Sequence, residues 1–230
     1  TNFYGETNTL YRNDGAWRFT DATVDAGLAA ATVPQLGWGT HFLDADLDGN
    51  LDLFVANGHV YPQVDVTETG ALYAQPNQLF HNDGNGVFAD ITRVSGPGMA
   101  VIKVSRGSCI GDYDGDGDID VFVVNLNDTP TLLRNDSPTP GHWLAVRLEG
   151  ADKRTVTGSR VRVFAAGAQQ IATLSAAGGY LGSNETVLRF GLGATRVAHV
   201  GVTWSDGTVT DVGAVDADQL LVVRQHPRPE

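Results

Sequence analysis

Two stretches decide the fold: DADLDGNLDLFVAN, Asp44 to Asn57, and DYDGDGDIDVFVVN, Asp112 to Asn125. Each sets aspartates at alternate positions, a glycine in sixth place and a further aspartate in ninth. These are Asp44, Asp46, Asp48, Gly49 and Asp52 in the first, and Asp112, Asp114, Asp116, Gly117 and Asp120 in the second. Carboxylates alternating along a tight loop converge on one centre, the glycine permits the sharp turn, and the ninth-position carboxylate closes the cage. Such a hard oxygen cage suits Ca²⁺, which takes about 6 to 8 oxygens, with the seventh-position backbone carbonyl of Asn50 or Asp118 as a further donor. An EF-hand needs an acidic side chain in twelfth place, where Val55 and Val123 stand. The apolar runs LFVAN and VFVVN that follow predict β-hairpins around the loops, holding about two Ca²⁺ ions in all.

The acidic stretches belong to a longer repeat. NTLYRNDG at Asn8 to Gly15 recurs as NQLFHNDG at Asn77 to Gly84, and in part as TLLRND at Thr131 to Asp136. Phe19, Asp21, Thr23 and Gly27 follow the first copy at the spacing with which Phe88, Asp90, Thr92 and Gly96 follow the second. Leu10 and Leu79 are 69 residues apart, Leu79 and Leu132 only 53; most of the excess lies in GHVYPQVDVTETGALYAQ, Gly58 to Gln75, an insertion on the shared repeat. Several short β-prone runs per repeat, about four in roughly 50 residues and separated by Asn-Asp-Gly or Asp-Gly turns, are the pattern of a β-propeller blade. The Leu, Tyr and Phe of these runs are expected to pack between neighbouring blades. About two blades and an orphan strand around Thr9 to Arg12 are expected, short of the roughly 4 to 8 blades of a closed propeller. An apolar face at the N-terminal blade and self-association of the chain follow from that.

Charge divides the chain. Residues 1–141 hold six basic and 19 acidic side chains, residues 142–230 nine and eight. Between the halves runs SPTPG, Ser137 to Gly141, whose prolines and glycine read as a linker (137–141) between a repeat region (1–136) and a second domain (142–230). The net charge of -12 over 230 residues disfavours nucleic acid and anionic membranes as partners. With 42% hydrophobic and 18% charged residues the chain can bury a core. No apolar run reaches the length of a membrane span. The one cysteine, Cys109, precludes an internal disulfide.

In the second half WLAVRLE, SRVRVFA, RVAHVGVTW and QLLVVRQ alternate apolar and polar residues, which predicts a small antiparallel β-sandwich. GLGATR, Gly191 to Arg196, lacks the third glycine and following helix of a phosphate loop and reads as a turn. Taken together, the repeats resemble the FG-GAP/VCBS repeats of integrin-like propellers. GHWLAVRLEG (Gly141 to Gly150), GSRVRVFA, GGYLGSNETVLRFGLG (Gly178 to Gly193) and VGVTWSDG (Val200 to Gly207) resemble the ASPIC/UnbV domain that follows such repeats in the cartilage acidic protein family and its bacterial relatives. The resemblance covers nearly the whole chain, although the literal phenylalanine-glycine-alanine-proline signature is absent. A full family propeller is expected to have about seven blades, which implies a C-terminal piece of a longer protein.

Catalytic patterns are thin. There is no G-x-S-x-G, no H-E-x-x-H and no cysteine pair, and His41, His59, His81, His142, His199 and His226 lack ligand spacing. Cys109 reads as a buried, inert thiol. Trp143, Tyr180 and Trp204 are candidates for a sugar-stacking platform, with core packing the commoner use of strand aromatics. A calcium-binding extracellular, cell-surface or periplasmic interaction or adhesion module, not an enzyme, is the first expectation, with a protein or polysaccharide ligand. A non-catalytic part of a secreted carbohydrate-active enzyme and a self-assembling surface subunit are the alternatives.

Overall fold

In both repeats the stretch before the acidic loop pairs with the apolar run after it. β3 (Gly37–Leu43) runs antiparallel to β4 (Asp52–Asn57), closing with Leu43 opposite Asp52, and β9 (Ser105–Gly111) to β10 (Asp120–Asn125), closing with Gly111 opposite Asp120. The acidic loops therefore lie in the mouths of β-hairpins, as their flanking residues predict. The computed structural model describes residues 1–68, 70–138, 141–151, 155–175 and 177–226, and is all-β apart from a five-residue helix α1 (Leu28–Thr32) and short 3₁₀ turns.

The first hairpin grows into a four-stranded antiparallel sheet in the order β3-β4-β6-β7, with β6 (Gln78–Asn82) and β7 (Phe88–Asp90) supplied by the NQLFHNDG repeat and its Phe-x-Asp. The insertion before it, Gly58 to Gln75, makes one 3₁₀ turn at Pro62–Val66 and ends in β5 (Gln75–Pro76), which pairs with β8 (Ile102–Lys103). The second hairpin adds only β11 (Thr131–Leu133), in the order β11-β10-β9. A second complete four-stranded unit was the expectation. The third repeat copy has no Phe-x-Asp after TLLRND to supply a fourth strand, and Pro138 follows with no N–H to give a ladder. Part of the expected linker, residues 139 and 140, lies outside the described residues.

The expected single orphan strand near Thr9 to Arg12 is instead a two-stranded hairpin. β1 (Tyr11–Gly15) and β2 (Arg18–Asp21) are the counterparts of β6 and β7, joined through Ala16 and Trp17 at φ 48° and 61°. Two consecutive left-handed residues make the turn whose twist matches a hairpin. All nine strand residues are exposed.

β4 is buried along its whole length because both its faces are covered. Leu53 and Val55 pack with Phe80, Phe88, Ala26 and Leu28. Phe54 and Ala56 pack with Leu43, Met99 and the Ile119, Val121 and Val123 of the second hairpin. The asparagine ending each apolar run fastens it to the next segment. Asn57, fully buried, donates from Nδ2 to the Pro76 carbonyl (3.0 Å), while Asn125 donates to the Thr129 carbonyl (2.8 Å) and accepts from Ser105 Oγ (3.0 Å).

Beyond residue 141 the strands pair only among themselves among the described residues. One sheet has the order β14-β13-β16-β17, from β13 (Arg160–Ala165), β14 (Ala168–Thr173), β16 (Val197–Thr203) and β17 (Val209–Asp216). The other has the order β15-β12-β18, from β12 (His142–Glu149), β15 (Val187–Gly193) and β18 (Gln219–Arg224). Alternating residues of both sheets meet in one core: Val161, Val163, Val200 and Val202 from the first, Leu144, Val146, Phe190 and Val223 from the second.

One pair departs from the antiparallel expectation, because β18 runs parallel to β12 from Leu144 opposite Gln219 to Glu149 opposite Arg224. β17 belongs to the opposite sheet, so the chain must cross over before β18 begins. Asp218, at φ 59°, makes that crossing: its carboxylate accepts from Trp143 N–H (3.2 Å) and meets His142 Nδ1 at 2.7 Å, and its N–H donates to the Trp143 carbonyl (2.7 Å). GLGATR is a turn, as expected, with Gly191 to Gly193 completing β15.

Candidate metal centre

Each loop is shaped by its own first and last aspartates. Asp44 accepts from Asp48 N–H (3.1 Å) and Gly49 N–H (2.9 Å), and Asp112 from Gly115 N–H (2.6 Å) and Gly117 N–H (3.1 Å). The sixth-position glycines take φ 95° and 104°, a region side chains resist. Asp52 accepts from Ala45 N–H (3.0 Å) and from Asn82 N–H (2.8 Å) on the next strand; Asp120 does the same with Tyr113 (2.6 Å) and Asn135 (2.8 Å). The Asn of the repeated L-x-x-N-D thus anchors the ninth-position carboxylate of each loop.

These bonds gather the carboxylates. Ligand atoms of Asp44, Asp46 and Asp48, and separately of Asp46, Asp52 and His81, lie within 4.8 Å of one another, as do those of Asp112, Asp114 and Asp120. Asp116 stands outside the second group and accepts from Asp118 N–H (3.2 Å). The Asn50 side chain turns back onto Asp48, donating to Oδ2 at 2.9 Å. Asp46 Oδ1 and Asp118 Oδ1 are buried without a hydrogen-bond partner. Burial pushes the Asp44 carboxyl up to about 7, helped by Asp48, Asp46 and Asp52, and the Asp118 carboxyl up to about 8, helped most by Asp116. Asp52 is likewise raised by burial. Partnerless buried oxygens amid crowded carboxylates are costly unless a cation is present, and an all-oxygen donor set suits a hard one. The residues therefore fit a calcium-type ion.

His81 was not among the expected residues. Its Nδ1 lies 3.2 Å from Asp52 Oδ1 and 3.6 Å from Asp46 Oδ2. The signal for it is in the repeat: aligned copies carry Arg12, His81 and Arg134, and Arg134 stands 3.7 Å from Asp114 as His81 stands by Asp46.

Both loops are roofed by the C-terminal strands. β15 lies across the two of them: Arg189 Nη1 is 3.1 Å from Asp112 Oδ2, and two residues on, Gly191 sits so close to Asp44 Oδ2 that a Cβ there would overlap it. Gly193 N–H then donates to the Leu47 carbonyl (2.9 Å). Trp143 packs on Gly117, where a Cβ would strike the indole. Ahead of β15, Glu185 N–H donates to the Ile110 carbonyl (3.0 Å) and Asn184 Oδ1 accepts from Ile110 N–H (3.1 Å), covering the free edge of β9.

The three aromatics considered as a stacking platform are dispersed. Trp204 is in the core with its N–H on Thr210 Oγ1 (2.8 Å), Trp143 is on Gly117, and Tyr180 is 4.9 Å from the ring of Trp38. Cys109 is free and half-buried on β9. No helix among the described residues is long and apolar enough to cross a membrane.

Compared with known protein families, residues 66–123 match the FG-GAP-like repeat and residues 150–230 match the family described as ASPIC and UnbV, neither of them a familiar catalytic domain. No curated protein matches the chain. The first match runs from the insertion through β6 and β7 to β10 and so contains the second acidic loop, whereas the first loop and β12 fall outside both matches. The chain therefore carries an FG-GAP-like repeat over residues 66–123, followed by an ASPIC and UnbV domain over residues 150–230.

Proposed function

We propose that the protein is a calcium-stabilised interaction module of an extracellular, cell-surface or periplasmic location. Residues 1–136 contribute blades of a β-propeller, 137–141 link them, and 142–230 form a β-sandwich. Asp44, Asp46, Asp48 and Asp52 with the Asn50 carbonyl hold one Ca²⁺, and Asp112, Asp114, Asp116 and Asp120 with the Asp118 carbonyl hold another. The observation that carries this reading is the pair of buried, partnerless oxygens, Asp46 Oδ1 and Asp118 Oδ1, one in each of two independently repeated loops. The bound ion would supply charge neutralisation and loop rigidity, a structural role.

Extracellular loops of this kind bind at about 10⁻⁴ to 10⁻³ M, so cytosolic calcium would leave them largely empty. Calcium calorimetry on the 230-residue chain is expected to give two sites, and Asp116→Ala one. A flat titration at millimolar calcium would sink the proposal. A partner, protein or polysaccharide, is not specified by the loops. The exposed β1–β2 hairpin, with Trp17 97% exposed at its tip, favours a second reading in which the chain also assembles through this edge.

A further inference from the structure

The two loops are roofed by the same strand, β15, but in chemically different ways. Over the first, β15 presents bare backbone: Gly191 against Asp44 and Gly193 on the Leu47 carbonyl. Asp44 has no ion-pair partner among the described residues. Over the second it presents Arg189, whose Nη1 meets Asp112 Oδ2 at 3.1 Å and whose Nη2 meets Glu185 Oε2 at 2.9 Å. Both side chains of the first pair are nearly enclosed, at 11% and 5% exposed, so solvent screens them little. Asp112 is the first residue of its loop and is bonded to Gly115 and Gly117, so a charge placed on it acts on the whole ring of carboxylates.

We infer that Arg189 is a tethered cation that partly neutralises the second loop, so that the ASPIC and UnbV domain stays seated there without calcium, at the cost of weaker calcium binding at that loop than at the first. The inference rests on the calcium reading above. Its logic is reciprocal: whatever free energy Arg189 gives the ion-free loop must be subtracted from the binding of a second cation. Arg189 touches Asp112 rather than the ion and is a positioning residue.

The test measures calcium binding and melting of the full chain as wild type, Arg189→Gln and Arg189→Lys. The wild type is expected to show unequal sites. Removing one nearby positive charge should tighten the weaker site by about 10-fold. It should leave the tighter one within about 2-fold, since β15 meets the first loop only through backbone. R189Q should also melt lower than wild type in chelator but close to it in saturating calcium, and R189K should restore both values. If R189Q folds only with calcium, that supports the inference. If R189Q is unfolded throughout, R189K decides: wild-type affinities support a charge role, and a weaker site more than about 3-fold changed overturns it. An R189Q chain with unchanged or weakened second-site binding also overturns it, whereas absence of any calcium binding in the wild type defeats the calcium reading itself.

Discussion

Strands β4 and β10 carry nearly the same residues, DLFVAN and DVFVVN, follow the same acidic loop, and meet different surroundings. β4 is buried at all six positions, with Phe54 only 1% exposed; β10 leaves Phe122 39% and Val124 45% exposed. Both strands share the core between the two sheets through one face. The other face of β4 is covered by Leu28 and Phe88, while that of β10 has no layer over it among the described residues. A repeated motif thus fixes the hairpin and its loop, while neighbours decide how much of the hairpin is core. β10 is left with an apolar strip of the kind that draws a partner.

The largest expected effect breaks the two strands apart. Phe54→Ala should destabilise the chain by about 3 to 5 kcal/mol, as for large cavities in packed cores. Phe122→Ala at the matching position should cost about 1 kcal/mol, since much of the ring is already in solvent. Denaturant melts of the two variants check this; equal losses would mean that β10 has a covering layer after all.

The loops sharpen the comparison through pH. The buried carboxyls of Asp44, raised to about 7, and Asp118, raised to about 8, hold their protons more tightly in the folded chain than in the unfolded one, where an aspartate titrates near 3.9. Their contribution to stability is present below about pH 4 and lost as pH rises through about 7 to 8. Ion-free protein should therefore melt progressively lower from pH 5 to 8, and Asp44→Asn should flatten part of that slope. Saturating calcium should flatten it further, because the bound ion replaces the protons. A melting temperature in chelator that rises over this range would contradict the burial of these groups.

The smallest effect on stability lies at the other exposed end. Trp17→Ser at the β1–β2 tip should change stability by less than about 0.5 kcal/mol. Sedimentation should nevertheless show the wild-type chain associating at micromolar concentration and the variant shifted toward monomer. Equal sedimentation of the two would remove the hairpin from any assembly contact.

The parts of this architecture that are local are legible in the sequence. Aspartate spacing announces the loops, a sixth-position glycine announces their turns, and period-two alternation announces strands such as β13, whose residues alternate exposed and buried. Asn57 and Asn125 are visible as the ends of apolar runs, yet their task of fastening β4 and β10 to the next segment is not, since it depends on bonds to other strands. Arg189 and Gly191 are less legible still. They meet Asp112 and Asp44 across 77 and 147 residues of chain, with no periodicity linking the partners. The parallel β18 hides for the same reason, because alternation tells which face is buried and says nothing of strand direction. His81 is the intermediate case, readable once the three copies of L-x-x-N-D are aligned.

That parallel strand has a consequence for the order in which the molecule is made. The sheet β15-β12-β18 joins residues at 142 to residues at 224, so it cannot close until residue 224 has been made. The two acidic hairpins, by contrast, pair residues within a few positions of their loops and can form as they emerge. During synthesis the carboxylates therefore stand open to the surrounding fluid before β15 comes down over them.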